Sequence, residues 1–389
     1  MGVTTGLKDT IAQATVWRRH LHQHPELEFD TVETAAFVAG QLKIFGCDRV
    51  EVGIGINGVV AEIHGRPSNR SIGLRADMDA LPITEATGLP HASQHPGKMH
   101  ACGHDGHTSI LLAAAKKLAE NRNFSGKVVL IFQPAEETGG GAKAMMDDGL
   151  FDRFAMDEVF GMHNTPQLAI GSFAICPGVY AASSDLFDVT VTGNNSHAAS
   201  PFRGTDPLMA ATAIVTGFQT VISRSVSAIQ PAVISVTAIR SDLDSYNTIP
   251  TNIHMKGTVR CLNADVRDQI EERMHQIVEL VAASYGAVGT LDYRRNYPIL
   301  KNDIALSEVA ACVAEQVGPV NRALDRSMGT EDFAFFSEVK QTAYICFGNG
   351  DSARLHHPEY DFDDDAIGPA LNYVLNLVQN RLGTKAEIA

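Results

Sequence analysis

The chain has 389 residues, 44% of them hydrophobic, and a formal net charge of −14 from 31 basic and 45 acidic side chains. That length favours two domains over one, and the composition suits an ordinary globular core. The acidic balance argues against a nucleic-acid-binding protein, which needs a basic footprint, and no apolar run approaches the roughly 18 residues of a membrane-spanning helix.

Met1-Gly2-Val3-Thr4-Thr5 leads into a polar segment without the apolar core of a signal peptide. Residues 31–45 read as an amphipathic helix. Short apolar strands are predicted at 58–63 and 71–75, then a helix over 108–120 rich in Ala, Leu and Lys. Residues 127–132 form a continuous apolar run of the kind buried on both sheet faces, and 158–162 form another. This alternation predicts an α/β domain. The pattern changes near Ala181. Residues 185–192 alternate as a half-buried strand, 206–224 read as a helix, 232–239 and 253–261 as strands, 264–285 as a helix and 288–293 as a strand. The order β-α-β-β-α-β is that of a ferredoxin-like unit. Residues 302–317, 342–347 and 366–382 resume the α/β style, and the tail from Gly383 to Ala386 reads as a frayed end. The expected organisation is a discontinuous catalytic domain, 1–181 and 297–389, with a smaller domain, 182–296, inserted. The six cysteines, at 47, 102, 176, 261, 312 and 346, show no paired spacing. They suggest a reducing cytoplasm and no disulfide framework.

Five segments concentrate chemistry. Met99 to His107 (MHACGHDGH) places three His, a Cys and an Asp within eight residues at a helix start, where Cys102 is expected to have a lowered pKa. The bland alternative is a helix cap with incidental polar residues. Phe132 to Gly141 sets Glu136 and Glu137 directly after a buried strand, where ligands collect in open α/β sheets. Adjacent buried carboxylates repel unless a cation or proton compensates. Those acids also argue against a phosphate-binding reading of the glycines that follow. Gly161-Met162-His163 ends another strand, and alone His163 reads more readily as structural. Arg354 to Pro358 contains His356 and His357, ahead of Asp361 to Asp365, which read as a solvated loop and helix cap. Gly73 to Pro82 carries Asp77 and Asp79 at a strand end. Mixed S, N and O donors suit zinc or a similar first-row ion. They outnumber the needs of one tetrahedral ion, so either a second ion is present or some groups support the ligands and move protons. The Glu136-Glu137 pair offers a ligand and a spare carboxylate.

Several runs together carry a resemblance: His24 to Leu27 (HPEL), Arg75 to Pro82 (RADMDALP), Met99 to His107, Phe132 to Glu137 (FQPAEE), Gly161 to His163, Ser196 to Pro201 (SHAASP), Met328 to Phe333 (MGTEDF) and Leu355 to Pro358 (LHHP). In this order they resemble the hippurate hydrolases, N-acyl-amino-acid amidohydrolases and auxin-conjugate hydrolases of the metal-dependent aminoacylase/carboxypeptidase family. The resemblance implies a catalytic domain with a central mixed sheet flanked by helices and an inserted lid and dimerisation domain. It implies two divalent ions, Zn, Mn, Co or Ni, held by Cys102, His104, Glu137, His163 and His356, with Glu136 as general base and Asp77 and Asp79 behind the ligands. The pattern Leu-His-x-Pro selects His356 over His357. Relatives outside this branch have a bridging Asp where Cys102 stands and a His ligand near Asp77. The resemblance also implies that His197 reaches the scissile carbonyl, often across a dimer interface, and that Asn247 and Arg260 bind a substrate carboxylate. The implied substrate is a small N-acyl amino acid; a dipeptidase, aminopeptidase or carboxypeptidase is the alternative. Two other classes remain as rivals: a thiol hydrolase using Cys102 with His104 or His107, and a non-catalytic metal protein with a closed site.

Overall fold

The structure is a computed structural model that describes residues 2–383; the tail beyond Gly383 and Met1 lie outside the described residues. It divides into two compact units. The first holds the described residues up to Gly178, Lys301–Asp325 and those from Glu331 onward; the second holds Val179–Leu300 and Arg326–Thr330.

The first unit is built on an eight-stranded mixed sheet. Its order is Arg49–Ile54, Gly58–His64, Ser125–Gln133, Arg66–Asp77, Glu158–Thr165, Gln341–Gly348, Phe173–Ala174, Val320–Asn321. The four strands from Ser125–Gln133 to Gln341–Gly348 run parallel. Val128 to Gln133 are all buried, as the uninterrupted apolar run requires. Helix His104–Glu120 has thirteen of its 17 residues buried, among them Ala113, Ala114 and Ala115. It packs against the sheet and against helices Gly2–Gln23, Val32–Phe45 and Ile367–Leu382. Small side chains let these neighbours approach closely. The Val32–Phe45 helix ends on Gly46 at φ 77°, whose N–H reaches the carbonyls of Leu42 and Lys43. The acids at the ends of Arg66–Asp77 and Ser125–Gln133 therefore meet at one edge of the sheet, the carboxyl end of its parallel strands.

The opening helix Gly2–Gln23 has no counterpart among the sequence expectations. Its inner face carries Ala14, Trp17, Arg18, Leu21 and His22, all buried. Two of those five are polar, so apolar periodicity alone does not reveal it. Arg18 also revises the reading of the acidic run as solvated. Its Nη1 donates to Asp361 at 3.1 Å and its Nε to Asp364 at 2.7 Å. Asp363 does cap, accepting from the Asp365 N–H at 2.9 Å.

The second unit has an antiparallel sheet in the order Ala232–Ser241, Asn252–Cys261, Ser183–Thr192, Val288–Tyr297. Numbered along this unit the order is 2-3-1-4, with helices Pro207–Thr220 and Ala264–Ser284 after the first and third strands, which is ferredoxin-like topology. Along Asn252–Cys261 burial alternates, and Ile253, Met255 and Val259 face a core shared with Ile214, Phe218, Ile270 and Met274. Asp206 and Asn263 cap the two helices through side-chain oxygens. The first helix does not continue regularly to Arg224: Val221–Ser225 is a π turn. Residues 326–330 join this unit because the Ala182 N–H reaches the Ser327 and Gly329 carbonyls, and Arg260 Nη1 donates to Thr330 Oγ1 at 2.9 Å. Among the described residues no helix is long and apolar enough to cross a membrane.

Candidate metal centre

Five of the sequence-selected side chains converge in the first unit. Gly103, at φ 86°, turns the chain into helix His104–Glu120. Only glycine suits this place, since a Cβ would meet Asn164 Nδ2 at 2.3 Å and Tyr360 Oη at 2.6 Å. The turn lets Cys102 and His104, two residues apart, face one centre. Cys102 Sγ lies 3.4 Å from His163 Nε2. The His163 Nδ1–H donates to the Asn164 carbonyl at 2.6 Å. His104 donates Nδ1–H to the Asp79 carbonyl at 2.8 Å. In its neutral form each ring would present Nε2 inward as a lone pair, the tautomer a metal ligand needs.

Glu136 and Glu137 follow Ala135, which is held at φ 52°. Asp79 accepts from both backbone N–H groups, at 3.0 and 3.2 Å. His356, at φ 65°, is tied to the Cys102 loop by its N–H on the Ala101 carbonyl at 2.8 Å. Its Nε2 stands 3.3 Å from Glu137 Oε1. His357 instead accepts the Glu359 N–H at 3.1 Å. Cys102, His104 and His163 place donor atoms within 4.8 Å of one another, and so do Cys102, Glu137 and His356, as well as His104, Glu136 and Glu137.

The centre fits a cation. His104 Nε2 is buried and has no hydrogen-bond partner, although such a group ordinarily finds one. Asp77, Asp79, Glu136, Glu331 and Asp332 are all buried, as is Arg75. Burial, then Glu331, Glu137 and Asp332, push the Glu136 carboxyl well above the usual carboxylate range. Burial opposes the His104 cation, yet Asp77 and Asp79 outweigh it and raise its pKa to about 10. A divalent ion would relieve this excess of negative charge. The same charges overturn one expectation. Burial, then Glu137, Glu136 and Asp77, hold the Cys102 thiol well above its ordinary pKa, so the helix N-terminus does not make it a ready thiolate. That counts against the thiol-nucleophile reading.

A family model, peptidase family M20/M25/M40, matches residues 73–380. The chain belongs to that family. N-acetyl-L-cysteine deacetylase of Bacillus subtilis (strain 168) is 38% identical over 379 residues, covering 95% of this chain and 88% of the relative. Hippurate hydrolase of Campylobacter jejuni is 39% identical over 363 residues, covering 92% of this chain and 94% of the relative. A solved structure described as a dinuclear metal binding peptidase from M20 family, from Bacillus subtilis, aligns at TM-score 0.84 and 34% identity, covering 95% of this chain and 98% of that one.

Within this M20 chain, His107 lies beside the centre but is already engaged. Its Nδ1–H donates to Asp77 Oδ1 at 2.6 Å, and its Nε2 accepts the Asn164 N–H at 3.0 Å. The remaining selected residues belong to the second unit. His197, exposed, pairs opposite Thr248 where Ser196–His197 runs antiparallel to Thr248–Ile249. The next residue along brings Asn247, also exposed, to the same turn, its carbonyl accepting the Ala198 N–H at 2.9 Å. His197 Nδ1 accepts the Ala199 N–H at 3.1 Å, so the neutral ring carries its proton on Nε2 and offers a donor. Arg260 is half-buried on strand Asn252–Cys261.

Sequence reasoning missed the group behind the two glutamates. Arg75 donates to Gln133, Asp77, Glu331 and Asp332 at 2.7 to 2.9 Å. Oxygens of Glu136, Glu331 and Asp332 lie within 4.8 Å of one another. The clue available was a second adjacent acid pair, Glu331-Asp332, in a segment quoted only for its resemblance.

Proposed function

We propose that this chain hydrolyses the amide bond of N-acyl amino acids, releasing a carboxylic acid and a free amino acid. Two divalent ions would be held by Cys102, His104, Glu137, His163 and His356. The observation that carries the reading is Glu136: a buried carboxyl of raised proton affinity beside the donor cluster. A closed structural site has no need of such a group. When bound, the ions would supply Lewis-acid polarisation of the scissile carbonyl and acidification of a water.

Glu136 takes the proton of the attacking water and passes it to the leaving amine. His197 donates from Nε2 to the carbonyl oxygen as charge develops there. Arg260 and Asn247 recognise the free carboxylate, Arg260 by a forked contact. A cytoplasmic homodimer formed through the second unit completes the reading. In that unit the Ala232–Ser241 strand is an edge of its four-stranded sheet. Zn, Mn, Co and Ni all suit the S, N and O donors.

Glu136→Gln is the decisive variant. It should keep its metal and lose turnover by several orders of magnitude; near-normal turnover would remove Glu136 from this role. The word peptidase in the description of the Bacillus structure keeps a dipeptide or C-terminal peptide substrate as the second reading. An assay across N-acetyl, N-benzoyl and indole-acetyl amino acids and unblocked dipeptides, with each metal supplied in turn, separates the two.

A further inference from the structure

Glu331 is buried, and three donors fix its carboxylate. Arg75 Nη2 and the Phe333 N–H each reach Oε1 at 2.9 Å, and the Tyr344 hydroxyl donates to Oε2. Arg75 is itself locked, with Gln133 Oε1 at 2.9 Å and Asp77 Oδ2 at 2.7 Å. Tyr344 lies on the buried strand Gln341–Gly348, in register with Gly161 of the neighbouring strand. Glu331 is thus a charge held on rigid supports.

Glu136 lies between two groups of side chains. Its carboxylate comes within 4.8 Å of His104 and Glu137 in one, and of Glu331 and Asp332 in the other. A glutamate side chain has three rotatable bonds, and a base must keep its oxygens within hydrogen-bond reach of the proton it takes. Like charges a few ångströms apart in dry surroundings repel strongly. Glu136 Oε1 accepts the Asp332 N–H at 3.4 Å. A fixed carboxylate beside that contact drives the movable one away from Glu331 and toward the His104 ring, whose pKa is raised.

We infer that Glu331 is a positioning residue for Glu136, its clamped carboxylate restricting Glu136 to rotamers that face the donor cluster. The inference rests on the proposed role of Glu136 as base. Asp332 is the less suitable agent. Its carboxylate ties Gln133 Nε2, at 2.8 and 2.7 Å, and the Ala142 N–H, at 2.9 Å, to the strand end, so its loss disturbs the backbone as well.

The test compares Glu331→Gln, Glu331→Asp and Tyr344→Phe with the wild type in the metal-loaded enzyme. Glu331→Gln should lower kcat roughly 10- to 100-fold, as a misplaced reacting group does. KM, metal content and melting temperature should stay near wild type. Glu331→Asp, which keeps the charge, should recover most of the loss. Tyr344→Phe should lower kcat less, and have no added effect on top of Glu331→Gln. Crystal structures should show Glu136 in one rotamer in the wild type and in several in Glu331→Gln. Wild-type kcat in Glu331→Gln, or a Glu136 side chain unmoved there, overturns the inference. If Glu331→Gln fails to fold or to hold metal, unchanged kcat in Tyr344→Phe overturns it. Glu136→Gln assayed alongside separates the two ideas. Retained turnover there defeats the base assignment, while the Glu136 rotamers still decide the positioning.

Discussion

His107 donates its Nδ1–H to Asp77 at 2.6 Å, and this bond, with the Asn164 N–H on its other nitrogen, leaves the ring no lone pair for a metal. His104, three residues earlier on the same helix, has its Nε2 buried without a hydrogen-bond partner. Two histidines that look alike in the sequence therefore differ in duty. His104→Ala should lose about one equivalent of bound metal. His107→Ala should keep the stoichiometry and weaken affinity roughly 10- to 100-fold, the usual cost of removing a group that orients ligands. Metal titration with elemental analysis reads both, and equal losses of stoichiometry would refute the distinction.

Gly103→Ala should damage the centre more than its size suggests. The residue sits at φ 86°, and the added methyl would strike Asn164 and Tyr360. Backbone strain alone costs about 1–3 kcal/mol. Tyr360 Oη donates to Asn164 Oδ1 at 2.6 Å, and Asn164 Nδ2 holds the Cys102 carbonyl at 2.6 Å, so the clash passes to the cysteine. A lower melting temperature together with loss of metal is expected; a variant that loads metal normally would show that the loop relaxes freely.

The Cys102 thiol should be sluggish in the metal-free protein. Burial and three carboxylates keep it protonated, and the thiolate is the reactive form. Iodoacetamide at pH 8 should alkylate exposed Cys312 before Cys102, as followed by peptide mass mapping. This is the opposite of the reactivity that a lowered pKa would bring. Faster labelling of Cys102 would mean that the neighbouring acids are neutralised.

His22 links stability to pH. Burial disfavours its cation, but Asp105 at 2.8 Å and Glu85 at 3.4 Å outweigh that and raise its pKa to about 9. A raised histidine contributes stability that is complete below its unfolded pKa of about 6.5 and is lost as pH rises through about 9. Glu85 behaves oppositely. Burial works against its charge, yet His22, Thr87 and the Ser93 N–H bring its pKa down to about 2. Its contribution is present above about 4.5 and is lost as pH falls through about 2. His22→Gln should therefore cost on the order of 3 kcal/mol near pH 6 and clearly less at pH 10. Chemical denaturation at both values decides it, and a pH-independent difference would rule out the charged pair.

Much of the centre was legible because its donors cluster in short segments. Cys102 and His104 share one loop, and Glu136 and Glu137 follow a continuous apolar strand. The ferredoxin-like order was readable from the alternation of strand and helix periodicities, and the structure adds the side-chain caps Asp206 and Asn263. The first helix was not, because Arg18 and His22 occupy its inner face and break the apolar stripe. Nor was the return of residues 326–330 to the second unit, which rests on backbone hydrogen bonds that carry no side-chain signature.

By itself the sequence determined the donor types, the strand ends that present them and the alternation that builds each unit. These follow from local spacing and side-chain chemistry. Only the tertiary structure decided which histidine nitrogens face the centre, that the metal-free Cys102 thiol resists ionisation, and that Arg75 and Glu331 stand behind Glu136. Those outcomes depend on burial and on charges brought together from positions as far apart as 75 and 331, and neither is written in neighbouring residues.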